Sequence, residues 1–384
     1  MTAPRIAIIG KPGFIDKSYD KPTEQLFKEV GLNTGNLAFW YALNQHICGN
    51  KGFYGWGADP VELKDNYDII AFPAANQLNP DWDMSHLAGL FEQADLPLLI
   101  CGLGVQAPTQ DYGITFKKGT LRFIDVISER AKFIGVRGEF TAEVLARNGV
   151  KNVEVMGCPS NFINTEVNLG KSIEKKLTQL KTVDSLVLNY DVTPQLAELV
   201  RVAYQWGLGR DVTFINQAPL DLVKMANEPM QAIEESLITR IRNLVAPGVS
   251  DSIFLNFVRG SFCSHFDVNT WMNQLTKADL AIGTRLHGNM LALQAGVPSI
   301  FIPHDSRTQE LTDLMKVPRL LAQRIKRGST LESVLPQVEF DGLSYDRQRF
   351  VLLQRYLKVL RGAGVGISDY LLRLDEQNNC AHVA

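Results

Sequence analysis

The sequence predicts an α/β fold built from two doubly wound parallel sheets that face each other across a cleft. Three observations predict it. Apolar strands alternate with helical patterns through the first half, at 5–9, 67–72, 96–101, 133–136 and 153–156. The same alternation returns in the second half, at 185–189, 212–216, 252–256, 279–283 and 298–302. Strands separated by crossover helices pair in parallel. The third observation is Gly283-Thr-Arg-Leu-His-Gly-Asn-Met-Leu-Ala-Leu-Gln-Ala-Gly-Val-Pro-Ser-Ile-Phe-Ile302, where a buried strand runs through a helix of small and apolar residues into the next strand.

Taken in order, the first half yields a Rossmann-like N-terminal domain over 1–165. Its clearest βα unit is the strand at 133–136 followed by a helix that keeps Phe140, Val144 and Leu145 on one face, with Asn148-Gly149 as the left-handed stop. A charged, helix-prone stretch at 171–181 precedes the new strand at 185–189, so the domain boundary falls near 160–184. A second Rossmann-like domain follows over 183–340. The last segment, 344–376, is helical: Phe350, Leu353, Leu357 and Leu360 line one side of a helix that stops before Gly362-Ala-Gly-Val-Gly366.

Composition bounds the function. At 384 residues the chain is long enough for two domains, and 45% hydrophobic with 21% charged residues is ordinary for a globular protein. A net charge of −2 gives no electrostatic case for a nucleic-acid partner. Five cysteines are scattered without a C-x-x-C pair, which reads as a reducing compartment. The chain enters a strand at once, and nowhere do 18 apolar residues run together, so we expect a cytoplasmic protein without a transmembrane segment. Nothing resembles a zinc motif or a P-loop. Gly102-Leu-Gly-Val-Gln-Ala107 matches a dinucleotide fingerprint in spacing, but Pro108 and a polar loop follow where a helix is needed. No metal and no cofactor are expected.

In an open α/β sheet, ligands sit at the carboxyl ends of the strands, where helix N-termini offer free N–H groups and a positive dipole end. Arg285 and His287 stand at such a helix start and are placed for an anion. An arginine there can also serve a structural ion pair.

The order G-T-R-L-H-G, small-residue helix, G-V-P resembles the polysaccharide pyruvyl transferase family. Cys101-Gly-Leu-Gly-Val-Gln106, Ile134-Gly-Val-Arg-Gly-Glu139 and Val155-Met-Gly-Cys-Pro-Ser160 fit the same resemblance, which spans about 30 to 310. It implies a GT-B-like arrangement with the acceptor on the side of the first domain and the donor on the side of the second, in which the C-terminal helices cross back to the first domain; an ordinary cap on the second domain is equally compatible with that tail. It also implies transfer of pyruvate from phosphoenolpyruvate, as co-substrate, to a saccharide acceptor as a ketal. A lipid-linked acceptor would bring the enzyme to the membrane surface as a peripheral protein.

On this resemblance Arg137, Arg285 and His287 are the expected catalytic residues. Arg307, Gly288, Gly104, Asn33, Gly35, Asn36 and Glu139 are expected to bind substrate. Phosphoenolpyruvate carries a phosphate and a carboxylate, which planar guanidinium groups suit, and ketal formation needs a general acid and a base. Two positions depart from the family pattern. His304-Asp-Ser-Arg307 has arginine where a lysine is more usual, and Asn33-Thr-Gly-Asn36 ends in an amide where the family has an acid, leaving Glu139 or Asp305 as substitute bases. Phe39, Trp40, Tyr54, Trp56 and Tyr112 are candidates for stacking on a sugar. The alternatives are a GT-B glycosyltransferase using a nucleotide sugar, for whose ribose Glu310 is the nearest candidate, and a non-catalytic glycan- or anion-binding family member.

Overall fold

The strands are β1 (Arg5–Ile9), β2 (Ile47–Cys48), β3 (Asn50–Tyr54), β4 (Ile69–Pro73), β5 (Leu98–Leu103), β6 (Ala131–Val136), β7 (Val153–Val155), β8 (Ser185–Asn189), β9 (Asp211–Ile215), β10 (Phe262–Cys263), β11 (Leu280–Gly283), β12 (Ser299–Phe301) and β13 (Gly366–Ile367). These come from a computed structural model describing residues 4–107 and 113–383, with side chains to residue 378. Among the described residues the strands form a parallel six-stranded sheet, β3-β1-β4-β5-β6-β7, and a parallel five-stranded sheet, β10-β9-β8-β11-β12. Both are doubly wound. The chain leaves β1 for β3 and crosses back to β4 on the other side, and it leaves β8 for β9 and β10 and crosses back to β11. Each sheet therefore has a switch point, between β1 and β4 in one and between β8 and β11 in the other.

Burial follows from this layering. Central strands such as β4 and β11 are buried on both faces, as parallel strands covered by helices must be. One apolar cluster packs the outer face of the first sheet around Phe72, Phe91 and Phe123, and another packs the outer face of the second around Tyr190, Phe214 and Phe254. The third lies between the sheets and joins Ile6 and Ile8 to Val187, Ile215 and Ala281, through the helices Asn36–His46 and Leu286–Gln294. Each aliphatic or aromatic side chain so buried contributes about 1.5 to 3 kcal/mol.

The helix Gly342–Gly362 returns to the first sheet's side of the molecule. Its Arg349 Nε donates to the Asn161 carbonyl (2.9 Å) and Nη1 to that of Glu166 (2.7 Å), with a further bond to the Asn164 carbonyl. Asp346 accepts from the Gly170 N–H at 2.6 Å, and Arg355 Nη1 donates to the carbonyl of Val155. After this helix, β13 pairs antiparallel with β2.

Two sequence expectations are corrected. Residues 252–256 lie in the helix Asp251–Ser261, not in a strand. Ser250 caps that helix, and Phe254 and Val258 are buried at a spacing of four, which is the helical period. The outer strand is instead the two-residue β10. The edge strand β3, Asn50-Lys-Gly-Phe-Tyr54, was not expected, because its half-exposed mixture lacks an apolar run.

Candidate functional site

At the switch point of the second sheet, β11 ends in Gly283 and the chain turns through Thr284 and Arg285 into the helix Leu286–Gln294. A Cβ at Gly283 would sit 2.0 Å from the Asn189 carbonyl oxygen, so glycine is what lets the end of β11 lie against the end of β8. The helix is buried along nearly its whole length and presents only its first turn to the cleft. Facing it is the first turn of the helix Asn36–His46, whose N-cap is Gly35. The two helix starts converge on the Gln217 side chain: a Cβ at Gly35 would meet Gln217 Oε1 at 2.4 Å, and one at Gly288 would meet Gln217 Nε2 at 2.6 Å. Two positive dipole ends thus point into one small volume.

Around that volume lie Asn33, Asn36, Asn76, Arg137, Gln217, Arg285, His287, Arg307 and Thr308. Arg137 arrives from the end of β6. It is 2% exposed, its Nε donates to the Gly102 carbonyl at 2.9 Å, and among the described residues it makes no salt bridge. Gly104 makes room for it, since a Cβ there would come within 2.7 Å of Arg137 Cδ. Burial, more than the neighbouring charges, pulls the Arg137 pKa down to about 10, which leaves it cationic at neutral pH. Arg285 pairs with Asp191 and donates to the Ala218 carbonyl at 2.9 Å, while its Nε is buried without a partner. Arg307 pairs with Asp305 at 3.1 Å.

His287 is 9% exposed, with its ring 5.1 Å from that of Phe39 and its Nε2 3.7 Å from Cys158 Sγ. Burial first, then the charges of Arg137 and Arg307, hold its pKa well below the usual histidine range, so it is a neutral imidazole. The cavity enclosed by these groups measures about 40 Å³, room for little more than a water. Gln217 Nε2, Asn189 Oδ1, Thr34 Oγ1 and His304 Nδ1 are further buried polar atoms left without partners near it. Buried polar atoms without a protein partner are rare, and each calls for one from water or from a ligand.

Most of the expected residues come together here: Arg137, Arg285, His287, Arg307, Asn33 and Asn36 line the cavity, and Gly35, Gly104 and Gly288 shape it. Glu139 does not. It opens the helix Glu139–Arg147 with its side chain 76% exposed, 4.0 Å from Arg355, because the helix start turns it away from the cleft. Asp305 caps the helix Ser306–Met315 through Thr308. Burial raises its pKa, but Arg307, His304 and the Thr308 hydrogen bonds outweigh that and hold it below its ordinary value. Glu310 accepts from Thr141 N (2.8 Å) and Thr141 Oγ1 (3.1 Å), tying the two halves together instead of facing the cavity. Asn36 uses its amide nitrogen on the Val30 and Gly31 carbonyls. Tyr112 lies outside the described residues. Among those described, no group of three or more His, Cys, Asp or Glu could hold a metal ion, and no helix is long and apolar enough to cross a membrane.

Sequence reading missed Gln217, Asn76 and Cys158. Each is a neutral residue two or three positions past a strand end; Gln217 and Asn76 belong to no motif, and Cys158, although inside Val155-Met-Gly-Cys-Pro-Ser160, was given no role of its own.

Similarity to known proteins agrees with this geometry at the level of family. No curated protein matches the chain. Among solved structures it is similar to Anabaena Alr3699/HepE in complex with UDP and glucose (11% identity, TM-score 0.43, covering 99% of this chain and 100% of that one). It is also similar to S. aureus MnaA with UDP (10%, TM-score 0.42, 94% and 98%) and to the trehalose-6-phosphate synthase OtsA (11%, TM-score 0.45, 99% and 98%). At such scores these add nothing to what the sheets themselves show. The sequence profile described as polysaccharide pyruvyl transferase, by contrast, matches residues 11–306, which hold every arginine, histidine and glycine that shapes the cavity except Arg307, and the chain belongs to that family.

Proposed function

We propose that this protein transfers pyruvate from phosphoenolpyruvate to a sugar residue, forming a ketal in the synthesis of a glycan. The observation that carries the reading is the Arg137 guanidinium, buried and, among the described residues, without a salt bridge, in the cluster with Arg285 and Arg307 beside two helix N-termini. A buried cation of this kind is costly unless an anion meets it, and a donor with both phosphate and carboxylate supplies enough charge for the whole cluster.

One sugar hydroxyl oxygen bonds to C2 of the enolpyruvyl group while C3 gains a proton. The bond from C2 to the phosphate oxygen then breaks, its electron pair leaving with phosphate. A second hydroxyl closes the ketal, so that of the two hydroxyl protons given up one is made good on C3 and the other leaves with the phosphate. In this reading His287, neutral before the donor arrives, accepts the proton of an attacking hydroxyl. The arginines hold the donor and stabilise the departing phosphate.

The test is calorimetry with phosphoenolpyruvate, together with phosphate release in the presence of saccharides. Binding should weaken by about 1.5 to 3 kcal/mol in Arg285→Ala and Arg137→Ala. Equal affinity in wild type and both variants would overturn the reading, and binding of nucleotide sugars in place of phosphoenolpyruvate would favour a glycosyltransferase.

A further inference from the structure

The first sheet has a switch point too, and it holds a larger cavity. Between the ends of β1 and β4 lies a cavity of about 490 Å³, bounded by Gly10, Lys11, Pro73 and Asn76 from those strand ends and walled by aromatic rings. Three of the chain's five tryptophans, Trp40, Trp56 and Trp82, line it, with Phe39, Tyr54 and Phe72. Its floor is rigid. The Trp40 indole lies over Gly10, where a Cβ would be 3.1 Å from the ring and would crowd it, and Gly31 approaches its far edge. At the mouth Trp56 and Trp82 are 42% and 41% exposed, unusual for rings that could have been buried.

Polar groups are few and placed. Glu29 lines the cavity and is held by Lys21 at 3.0 Å, Lys11 at 3.6 Å and Gln25 at 2.9 Å, which keeps its pKa below the ordinary carboxylate value although burial pushes the other way. Asn36 and Asn76 border this cavity and the arginine cluster alike, so the two spaces adjoin.

From this geometry we infer that the cavity at the first sheet's switch point is the acceptor subsite and takes a pyranose ring stacked on the Trp40, Trp56 and Trp82 indoles. A pyranose has an apolar C–H face and a rim of hydroxyls. Aromatic rings meet the first, and an ionised, immobilised carboxylate and an amide meet the second. The open mouth at Trp56 and Trp82 leaves the rest of a glycan in solvent, so the ring bound is a terminal one. The shared wall at Asn36 and Asn76 brings its hydroxyls toward His287. The inference rests on the proposed pyruvyl transfer for what happens next, but not for binding.

The experiment is saturation-transfer difference NMR on the full chain with a panel of methyl hexopyranosides and N-acetylhexosaminides, with uridine and adenosine as competing aromatic ligands. We expect ring C–H protons of at least one glycoside to be saturated, and its apparent Kd to rise about tenfold, some 1.4 kcal/mol, in Trp56→Ala and in Trp82→Ala. Both tryptophans are exposed, and circular dichroism confirms that the variants fold. Phosphoenolpyruvate binding, followed by ³¹P NMR in the same samples, should persist. Saturation of no glycoside, stronger saturation of a nucleoside than of any glycoside, or transfer unchanged in both variants would overturn the inference. Glycoside binding without phosphoenolpyruvate binding would uphold it and sink the donor reading instead.

Discussion

His287 shows how a residue's chemistry is set by what surrounds it. A histidine at a helix start in water would titrate near 6.5; here burial and the charges of Arg137 and Arg307 keep it neutral far below that. Removing one of those charges should relax the depression. We therefore expect the ¹⁵N NMR titration of His287 to move to higher pH in Arg137→Gln and in Arg307→Gln, and no movement in either would place the cause elsewhere. With the donor absent, His287→Gln should leave the melting temperature within a few degrees of wild type while removing most turnover, about 10² to 10⁴ in rate. A large loss of thermal stability would mean that its packing against Phe39 matters more than its proton. Arg285 and His287 stood out in the sequence because they open a helix directly after an apolar strand, whereas Arg137 and Arg307 were picked out by the family resemblance. Gln217 was not, because nothing local distinguishes a glutamine after β9 until the fold brings it between Gly35 and Gly288.

At the scale of elements, the site depends on how closely two helix starts approach. A Cβ added at Gly288 would lie 2.2 Å from Asn189 Oδ1 and 2.6 Å from Gln217 Nε2, and both of those side chains are buried. Gly288→Ala should cost about 1 to 3 kcal/mol by overpacking, read as a lowered urea midpoint, and should weaken donor binding in the same step. A variant as stable as wild type would show that Gln217 can swing aside freely. The sequence predicted most strands well, since runs such as Ile69–Pro73 and Leu98–Leu103 are apolar throughout. It failed at Asp251–Ser261, where the run Ile-Phe-Leu reads as a strand although Phe254 and Val258 share a helical face, and at β3, whose pairing with β1 is decided by a partner 45 residues earlier in the register.

At the scale of the whole molecule, acid should loosen it. His46, fully buried between Tyr356 Oη and the Phe162 carbonyl, is held down to about 3 by burial, and His265 to about 4 by the same cause. Between those values and 6.5 the unfolded chain binds protons that the folded one refuses. Stability is therefore intact above about pH 6.5 and falls as pH drops, by about 1.4 kcal/mol per unit for each such histidine. Urea unfolding at pH 7.5 and pH 5 should show the loss, and His46→Gln should flatten the slope. Donor binding is a second whole-molecule event, because the arginines belong to both halves and enclose only about 40 Å³ as they stand. The ligand-free protein should therefore open in solution, and saturating phosphoenolpyruvate should lower the radius of gyration in wild type but not in Arg137→Ala; identical scattering curves would argue for a fixed cleft. How it opens follows from the helix Gly342–Gly362. The two sheets are joined once by the chain between β7 and β8 and once more by that returning helix, fastened through Arg349 to Asn161, Asn164 and Glu166. The Glu310–Thr141 bonds and the apolar contacts between the sheets must part for the cleft to open; with those released, the two remaining pins would leave one free rotation, about the line through them. A cleft held in this way should swing more readily than it slides or twists, and each closure should return Arg137 to the same seat opposite Arg285.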